Sequence, residues 1–344
     1  MKAVQLVQYK KEYQIRDVPV PEPGENDLLI KIAAAGFCHT DYQVWEGVYK
    51  SPTPLIPSHE PVGTVVAIGA AAQKSGKWSI GSRVGALLFR HPCHHCVGCE
   101  STSDVRFCKN NETAGLLNDG GMAEYMIGDA DDCVLLPDNL SFEQAAPLMC
   151  AGNTTWAALV AANVAPAAPV GIVGIGGLGS LAVQFAKALG HPVVAVDNRE
   201  EGRALATEPT LKADLVLDFG DSEAVSKIKS WAGRDGLAAV IVCTDNVEAT
   251  EWSLNTLRPH GVAVPLGLPT TGFKFDAFTV IFNEIVIKGS LVATRDQAED
   301  MLRVVADHQI ESHLTVVSFD DAPKLPDMYM SSNLKGRLVL KVGS

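Results

Sequence analysis

A glycine-rich turn near the middle of the chain constrains the fold more than any other feature. It follows an apolar stretch, opens an amphipathic segment, and consists of Gly174, Ile175, Gly176, Gly177, Leu178 and Gly179. The first glycine allows a tight turn, the second lets the backbone approach a pyrophosphate, and the last lets a helix pack on a strand. The amino end of that helix attracts the anion. Because the next predicted strand ends in Asp197, which suits a ribose hydroxyl, the pattern predicts a dinucleotide site.

Predicted strands and helices alternate around this turn. The strands are predicted at residues 170–175, 193–197, 214–219, 237–243, 261–266 and 284–292. Six strands in this alternation predict a doubly wound parallel sheet in an α/β domain. Asp197 favours NAD over NADP because a carboxylate repels a 2′-phosphate, although Arg199 could partly compensate. The alternative is a glycine-rich turn in another α/β fold with an incidental acid at a strand end.

The chain before residue 137 has a different sequence pattern. Short apolar stretches punctuated by Gly and Pro predict an all-β, barrel-like domain. These stretches lie at residues 28–34, 63–68, 83–88, 122–127 and 133–136.

A change of character at Ser141 marks the predicted domain boundary. Ser141 and Gln144 form a capping-box pattern ahead of an apolar run to Ala162, which predicts one helix. After Arg295, a helical stretch and two short strands resemble the first domain. We therefore predict one domain from residues 1–150 and 294–344, and a second domain from residues 151–293.

Four of the eight cysteines crowd into one loop, residues 93–108. They are Cys93, Cys96, Cys99 and Cys108. Four thiolates at this spacing match the closed tetrahedral site that zinc forms with sulfur. The neighbouring histidines at positions 91, 94 and 95 are competing ligands, although four cysteines already complete the shell. Free thiols and an iron–sulfur cluster are the alternatives.

A second group of candidate metal ligands is spread along the chain. It comprises Cys38, His59 and Cys150. Two sulfurs and one imidazole leave a fourth position open, as a catalytic zinc requires. Cys133 and Cys243 have no such neighbours, and we interpret them as small buried apolar residues.

Composition limits the classes of partner. The 344 residues include 28 Lys and Arg against 40 Asp and Glu, a formal net charge of −12. The average field therefore repels polyanions, which argues against nucleic acid as a partner. Early charged residues argue against a secretory signal, and no uncharged apolar stretch reaches the roughly 20 residues of a membrane span. We expect a cytoplasmic protein whose cysteines act as metal ligands or thiols rather than disulfides.

Together these motifs resemble those of the zinc-dependent medium-chain alcohol dehydrogenases, most closely the microbial, yeast-type branch. The shared segments are 36–41, 59–60, the four-cysteine loop, 150–152, 174–179 with Asp197, 289–290 and 336–337. The resemblance implies a GroES-like catalytic domain with an inserted Rossmann domain, and one catalytic and one structural zinc per subunit. It also implies NAD-linked oxidation of an alcohol to an aldehyde or ketone, in a homo-oligomer for which a tetramer is expected ahead of a dimer.

The resemblance implies a role for each residue of the dispersed metal site. Cys38, His59 and Cys150 would bind the catalytic zinc, which acts as a Lewis acid on the alcohol. Asp41, the natural partner of His59, and Glu60 match carboxylates that orient the ligands and tune the site.

Further roles follow for residues around the metal. Thr40 would take the hydroxyl proton and pass it on through the cofactor ribose. The cofactor pyrophosphate would contact His39 and Arg337, and the substrate pocket would be lined by Trp45 and Leu88. The alternatives are that Trp45 belongs to the core, that His39 is a surface histidine, and that Thr40 is only a turn residue.

Three departures from the family pattern stand out. Ser58 replaces the glycine usual before the His-Glu pair, which adds a side chain close to the zinc ligand. The gap before Cys108 is eight residues where seven is usual, and a bulge can absorb the difference. The histidine that ends the proton relay in much of the family falls at Gln43, which cannot accept a proton.

Other functions of the same fold remain as alternatives. One is an NADP-preferring aldehyde reductase, and another is a polyol dehydrogenase, which commonly has Glu in place of Cys150. A third is a catalytically silent nucleotide-binding structural protein, against which the complete ligand set argues. Leu88 and Phe89 fall where yeast-type enzymes carry a bulky Trp, which predicts a wider pocket and a preference for longer or aromatic alcohols over ethanol.

Overall fold

The structure, a computed structural model, describes residues 1–102, 104–233, 236–331, 334 and 336–343. The chain forms two compact units. The first comprises Met1–Cys150, Thr294–Ala306 and Ser312–Ser344, and the second comprises Ala151–Ala293 and Asp307–Glu311. Within the described ranges, no helix combines the length and the apolar character needed to cross a membrane.

The strands are numbered in chain order. They are β1 (Lys2–Gln5), β2 (Gln14–Asp17), β3 (Asp27–Phe37), β4 (Pro61–Ile68), β5 (Arg83–Ala86), β6 (Phe89–Arg90), β7 (Glu112–Thr113), β8 (Tyr125–Asp129), β9 (Cys133–Leu135), β10 (Val170–Val173), β11 (Val193–Asp197), β12 (Leu215–Asp218), β13 (Leu237–Val242), β14 (Leu257–Pro265), β15 (Val286–Ile287), β16 (Leu314–Ser318) and β17 (Arg337–Lys341).

The α-helices are numbered in the same way. They are α1 (His39–Glu46), α2 (Ala70–Lys74), α3 (Val97–Thr102), α4 (Phe142–Ala145), α5 (Ala151–Ala162), α6 (Gly179–Ala188), α7 (Glu200–Thr207), α8 (Ala224–Ala232), α9 (Val247–Leu254), α10 (Ala277–Phe282), α11 (Arg295–His308) and α12 (Leu325–Tyr329). Short 3₁₀ segments lie at Val105–Phe107, Ala146–Met149 and Phe319–Lys324.

A sheet of order β16-β17-β3-β4-β5-β9, with β8 also paired to β3, organises the first unit. Its pairings are antiparallel except for the parallel pair β16 and β17. Alternate residues of a strand face the same side, and in β3 the side chains of Leu28, Ile30 and Ile32 enter the core. The prediction of a β-rich first domain is confirmed.

The second unit contains a six-stranded parallel sheet of order β12-β11-β10-β13-β14-β15. Residues of β10 and β13 are buried throughout, as expected for central strands covered on both faces. The strand order reverses between β10 and β13, and ligands of such sheets bind at the carboxyl ends beside that reversal. Because β10 ends just before Gly174, the fold places the glycine-rich turn there. The predicted doubly wound sheet is confirmed.

Two predicted elements differ from those observed. The single helix expected up to Ala162 is interrupted: Ser141 caps α4 as predicted, but the 3₁₀ segment Ala146–Met149 separates α4 from α5. Pro147 lies in this segment and cannot donate the backbone hydrogen bond that a continuous helix needs. The last predicted strand, 284–292, is only Val286–Ile287. On β14, Pro265 lies two residues beyond Ala263, the last residue paired with β15, and it has no N–H to continue the ladder.

Candidate active site

Helix α1 begins at the candidate ligand Cys38. The Sγ atom of this N-cap residue accepts a hydrogen bond from the Thr40 backbone N–H at 3.3 Å. Asp41 completes a capping box, since its Oδ2 accepts from the Cys38 N–H at 2.9 Å. Reciprocal capping satisfies donors that a helix start leaves without partners. The cap therefore fixes the Cys38 sulfur in a buried position.

His59 approaches the same sulfur from the segment before β4. Its Nε2 lies 3.3 Å from Cys38 Sγ, and its Nδ1 lies 3.4 Å from Asp41 Oδ1. That carboxylate oxygen also accepts the Ser58 backbone N–H at 3.1 Å, so Asp41 links α1 to the His59 segment. A carboxylate behind a metal-binding imidazole orients the ring and raises its basicity.

Cys150 completes the group at the break between α4 and α5. The ligand atoms of Cys38, His59, Glu60 and Cys150 all lie within 4.8 Å of one another. Two thiols and one imidazole at this separation fit a zinc ion that keeps a fourth position for water or substrate. The tertiary structure thus brings together three ligands that lie far apart in the sequence.

The charges within this group are coupled. Burial alone would raise the pKa of the Cys38 thiol, but Cys150 and His59 hold it well below its ordinary range. Burial lowers the pKa of His59, but the neighbouring Cys38 and Asp41 outweigh it and raise the pKa well above its ordinary value. The site therefore favours an ionised Cys38 sulfur, the form that binds a metal, whereas the hydrogen bond to Cys38 and burial raise the pKa of Cys150 well above its ordinary value.

A buried ion pair lies beside these ligands. Arg337 Nη2 donates to Glu60 Oε1, and both side chains are almost completely buried. Burial raises the pKa of Glu60 to about 7, although Arg337 opposes the change. Among the described residues, Glu60 Oε2 has no hydrogen-bond partner, and a Cβ on Gly36 would lie 1.8 Å from it. A glycine is therefore required at position 36, and Oε2 is a buried acceptor that a nearby cation would stabilise.

The four cysteines of the loop 93–108 converge on one point. The Sγ–Sγ distances are 3.6 Å for Cys96–Cys99, 4.0 Å for Cys96–Cys108 and 3.6 Å for Cys93–Cys108. Tetrahedral zinc with Zn–S bonds of about 2.3 Å separates its sulfurs by about 3.8 Å. All four Sγ atoms lie within 4.8 Å of one another, which fits a single ion rather than a multinuclear iron–sulfur cluster.

The neighbouring histidines have other partners. His91 Nε2 lies 2.8 Å from Asp27 Oδ1, and its Nδ1 lies 3.3 Å from Glu112 Oε2. His95 Nδ1 is 2.5 Å from the Cys93 carbonyl oxygen. The Cys108 sulfur accepts the backbone N–H groups of Cys93 and Asn110, both at 3.3 Å, as metal-bound thiolates require. The four-sulfur set therefore forms without these two imidazoles.

The glycine-rich turn has the geometry of a phosphate cradle. Gly174 has a φ of +90°, and a Cβ on Gly179 would lie 2.0 Å from the Gly174 carbonyl oxygen. By contrast, a Cβ on Gly176 would meet only Arg199 Nη2, at 3.8 Å, so the space above Gly176 is open. Leu178, the N-cap of α6, gives no side-chain cap, which leaves amide donors at the helix start for an anion.

Asp197 ends β11 beside this turn. Its Oδ2 accepts the Ile175 N–H at 2.6 Å, and its Oδ1 accepts the Arg199 N–H at 2.8 Å. Arg199 Nη2 also lies 3.2 Å from Oδ2. Arg199 Nε also donates to Oδ1, at 3.3 Å, so the carboxylate holds the turn together and already accepts the four or so hydrogen bonds that are its usual capacity.

Three other predicted site residues differ in their exposure and contacts. His39 is exposed, with its Nδ1 3.3 Å from Tyr329 Oη. Trp45 borders the core of the first unit, and its indole N–H donates to the Lys11 carbonyl at 2.7 Å. Leu88 is half-buried.

Sequence reasoning missed Tyr49 and Tyr329. Tyr49 Oη donates to Gln43 Oε1 at 2.9 Å. The signal for Tyr49 was Gly47, because a glycine just after a helix typically reverses the chain. No comparable local signal pointed to Tyr329, which is remote from His39 in the sequence.

Known proteins that this chain resembles include alcohol dehydrogenases. Residues 24–138 match the family model of the alcohol dehydrogenase GroES-like domain, and residues 177–307 match that of the zinc-binding dehydrogenases. An alcohol dehydrogenase of Geobacillus stearothermophilus is 37% identical over 99% of this chain and 100% of its own length. The chain therefore belongs to the zinc-dependent medium-chain alcohol dehydrogenase family.

Solved structures agree with this assignment. The alcohol dehydrogenase of Aeropyrum pernix has a TM-score of 0.86 at 28% identity, covering 99% of this chain and 100% of that one. The acetophenone reductase of Geotrichum candidum, solved with NAD, has a TM-score of 0.84 at 27% identity, covering 99% and 97%.

Proposed function

We propose that this protein is an NAD-dependent zinc alcohol dehydrogenase that reversibly oxidises a primary alcohol to its aldehyde. The convergence of Cys38, His59 and Cys150 on one point carries the proposal, together with the family membership. A zinc ion bound there would supply Lewis-acid polarisation of the substrate oxygen, and bound NAD would accept the hydride. Within the family we place the chain in the microbial, yeast-type branch.

The residues around the ligands have distinct tasks in this proposal. Cys38, His59 and Cys150 hold the metal, and Asp41 keeps the His59 ring oriented through the 3.4 Å contact. Thr40 would take the proton of the alcohol hydroxyl while passing its own hydroxyl proton to the ribose of the bound cofactor. Glu60 adds buried negative charge next to the ligands and is itself neutralised by its ion pair.

We propose a second, structural zinc on Cys93, Cys96, Cys99 and Cys108, giving two per subunit. The sulfur separations of 3.6–4.0 Å support it, since they match a closed tetrahedral site. Metal analysis of the purified protein should give two zinc ions per chain. A single zinc would contradict one of the two assignments.

The cofactor proposal is that the turn 174–179 holds the pyrophosphate and Asp197 the adenosine ribose, with His39 and Arg337 as further phosphate contacts. Asp197→Ser removes both the ribose contact and the repulsion of a 2′-phosphate, leaving Arg199 to pair with that phosphate. Steady-state kinetics should then shift preference toward NADP. A wild-type enzyme that already prefers NADP would overturn this assignment of Asp197 and favour the aldehyde-reductase alternative.

The substrate proposal is a pocket lined by Trp45 and Leu88 that suits alcohols longer than ethanol or aromatic alcohols. The test follows NADH formation at 340 nm with ethanol, hexanol, benzyl alcohol and a polyol. We expect higher kcat/KM for hexanol and benzyl alcohol than for ethanol. A higher value for ethanol would contradict the wide pocket, and no turnover at all would favour the silent structural protein.

We also propose a cytoplasmic homo-oligomer, a tetramer ahead of a dimer. Large apolar side chains exposed on α10 and the edge strand β15 support association, namely Phe278, Ile281, Phe282 and Val286. The eight free cysteines agree with a reducing compartment. Light scattering of the zinc-loaded protein should give four times the chain mass, and a monomer would contradict the proposal.

A further inference from the structure

The carboxylate of Asp197 is enclosed mainly by backbone. Only 4% of this residue is exposed. A Cβ on Gly202 of α7 would lie 2.4 Å from its Cγ and Oδ2, so the helix backbone passes directly against the carboxylate. The backbone N–H groups of Ile175 and Arg199 bind it from the glycine-rich turn and from the segment after β11. These groups cannot move aside without distorting the turn or the helix.

The Arg199 side chain is the movable part of this enclosure. Its Nε donates to Asp197 Oδ1 at 3.3 Å and its Nη2 donates to Oδ2 at 3.2 Å, both longer than the backbone bonds of 2.6 and 2.8 Å. The Arg199 side chain is 54% exposed. Because solvent competes for the donors of an exposed side chain, such an ion pair contributes little. Arg199 can therefore leave the carboxylate at a low cost in free energy.

The same side chain lies over the phosphate cradle. Its Nη2 donates to the Ile175 carbonyl at 3.4 Å and is the atom that a Cβ on Gly176 would meet, at 3.8 Å. These bonds use Nε and Nη2, so the N–H donors of Nη1 remain for another acceptor. A guanidinium forms paired, charge-assisted hydrogen bonds with a phosphate. Arg199 thus contacts both the carboxylate proposed to bind the ribose and the turn proposed to bind phosphate.

We propose that Arg199 competes with the cofactor ribose for Asp197 and thereby limits the discrimination between NAD and NADP. The inference rests on the proposed nicotinamide cofactor and deepens it. Because Asp197 already accepts about four hydrogen bonds, the ribose hydroxyls of NAD can bind it only where Arg199 withdraws. A 2′-phosphate donates nothing to Asp197 and is attracted by the guanidinium that neutralises the carboxylate. Arg199 therefore weakens the binding of NAD and strengthens the binding of NADP.

Equilibrium binding of the reduced cofactors tests this inference without turnover. NADH and NADPH are titrated into the zinc-loaded protein, and the change in their fluorescence gives the dissociation constants. Arg199→Met removes the guanidinium but keeps the backbone N–H that binds Asp197. We expect this variant to bind NADH about threefold to fivefold more tightly, the upper end for an exposed ion pair. It should bind NADPH about tenfold more weakly, because a charge-assisted bond to phosphate is lost.

Arg203→Met is the matched control, because it removes the same charge from the same neighbourhood. Arg203 Nη1 donates to the Asp197 carbonyl oxygen at 3.1 Å and lies 3.0 Å from Asp218 Oδ2. Loss of positive charge alone weakens the binding of both anionic cofactors, so this control should keep their ratio within about threefold of wild type. Adenosine is uncharged and keeps both ribose hydroxyls. Its affinity, measured by displacement of NADH, should rise in Arg199→Met but not in Arg203→Met.

The outcomes distinguish this inference from the proposed function. If wild type binds NADH but Arg199→Met fails either to tighten NADH or to weaken NADPH, the competition is wrong while the dehydrogenase stands. If Arg203→Met shifts the ratio as much as Arg199→Met does, the effect is one of net charge and the inference is wrong. If wild type binds neither NADH nor NADPH, the proposed cofactor site fails and the inference with it.

Discussion

At the scale of single residues, Ser58 combines an unfavourable backbone conformation with favourable side-chain hydrogen bonds. It has a φ of +77°, a left-handed conformation that costs an L-residue roughly 1–2 kcal/mol. Its hydroxyl donates to the Gly36 carbonyl at 2.7 Å and accepts the Glu60 N–H at 3.2 Å. These two bonds hold the segment that carries His59, so they offset the conformational cost.

Substitution of Ser58 separates the two effects. Ser58→Gly loses the hydrogen bonds but relieves the backbone, whereas Ser58→Ala loses the bonds and keeps the strain. We expect Ser58→Ala to be less stable than Ser58→Gly by about 1 kcal/mol, and both to be less stable than wild type, since each buried bond contributes about 1 kcal/mol. Urea unfolding of the zinc-loaded proteins measures this. Equal stability of the two variants would show that the conformation carries no cost.

Gln43 gives a second prediction at the residue scale. A histidine there has a pKa near neutrality and can act as a general base, which an amide cannot. Gln43→His should raise alcohol oxidation near neutral pH by up to about 10²-fold, the low end of general-base effects, while NAD affinity stays unchanged. The kcat/KM pH profile is the measurement. An unchanged profile, with fold and zinc content intact, would show that the proton does not pass position 43.

At the scale of elements, the turn between β8 and β9 contains a buried carboxyl group whose ionisation destabilises the folded state. Asp132 is 8% exposed, and its Oδ2 has no hydrogen-bond partner within the described ranges. Burial and the neighbouring Asp129 and Asp131 raise its pKa to about 7, against the opposing charge of Arg295. Because the folded state holds this proton more tightly than the unfolded chain does, stability should fall as pH rises from about 4 to about 7.

Replacing Asp132 should remove that pH dependence. Asp132→Asn cannot ionise, so we expect its advantage over wild type to grow between pH 4 and pH 7, to at most about 4 kcal/mol. Denaturant unfolding across this range measures it. Asp138→Asn is the control, because Asp138 is exposed and is not among the charges that raise the pKa of Asp132, so it should change the slope little. Parallel curves for wild type and Asp132→Asn would contradict the assignment.

At the scale of the whole molecule, the two cysteine groups should separate stability from activity. Cys93→Ser should release one zinc and lower the unfolding temperature, since a closed sulfur site contributes directly to folding. Cys150→Ser should leave a folded protein that binds NADH but has lost most activity. Zinc content, thermal unfolding and NADH titration of both variants measure this. Equal loss of stability with activity retained in both would contradict the two roles.

Much of the fold was predictable because its signals are local. Glycines 174, 176 and 179 mark a turn between a strand and a helix, and six apolar stretches define the parallel sheet. The helix after Ser141 was predicted too long. A run of apolar residues indicates that a segment is buried, but it does not show where the helix is interrupted. Pro147 was the available signal, and the break at Ala146–Met149 is what sets Cys150 in its place.

The amino-acid sequence by itself determined the four-sulfur loop and the phosphate turn, since each is built from residues within a few turns of chain. Only the tertiary structure brought Cys38, His59 and Cys150 together and paired Glu60 with Arg337. The physical reason is the distance along the sequence over which each kind of interaction acts. Local spacing and propensity act over neighbouring residues, whereas the meeting of distant side chains depends on strand pairing and on the packing of a shared core, which no short segment encodes.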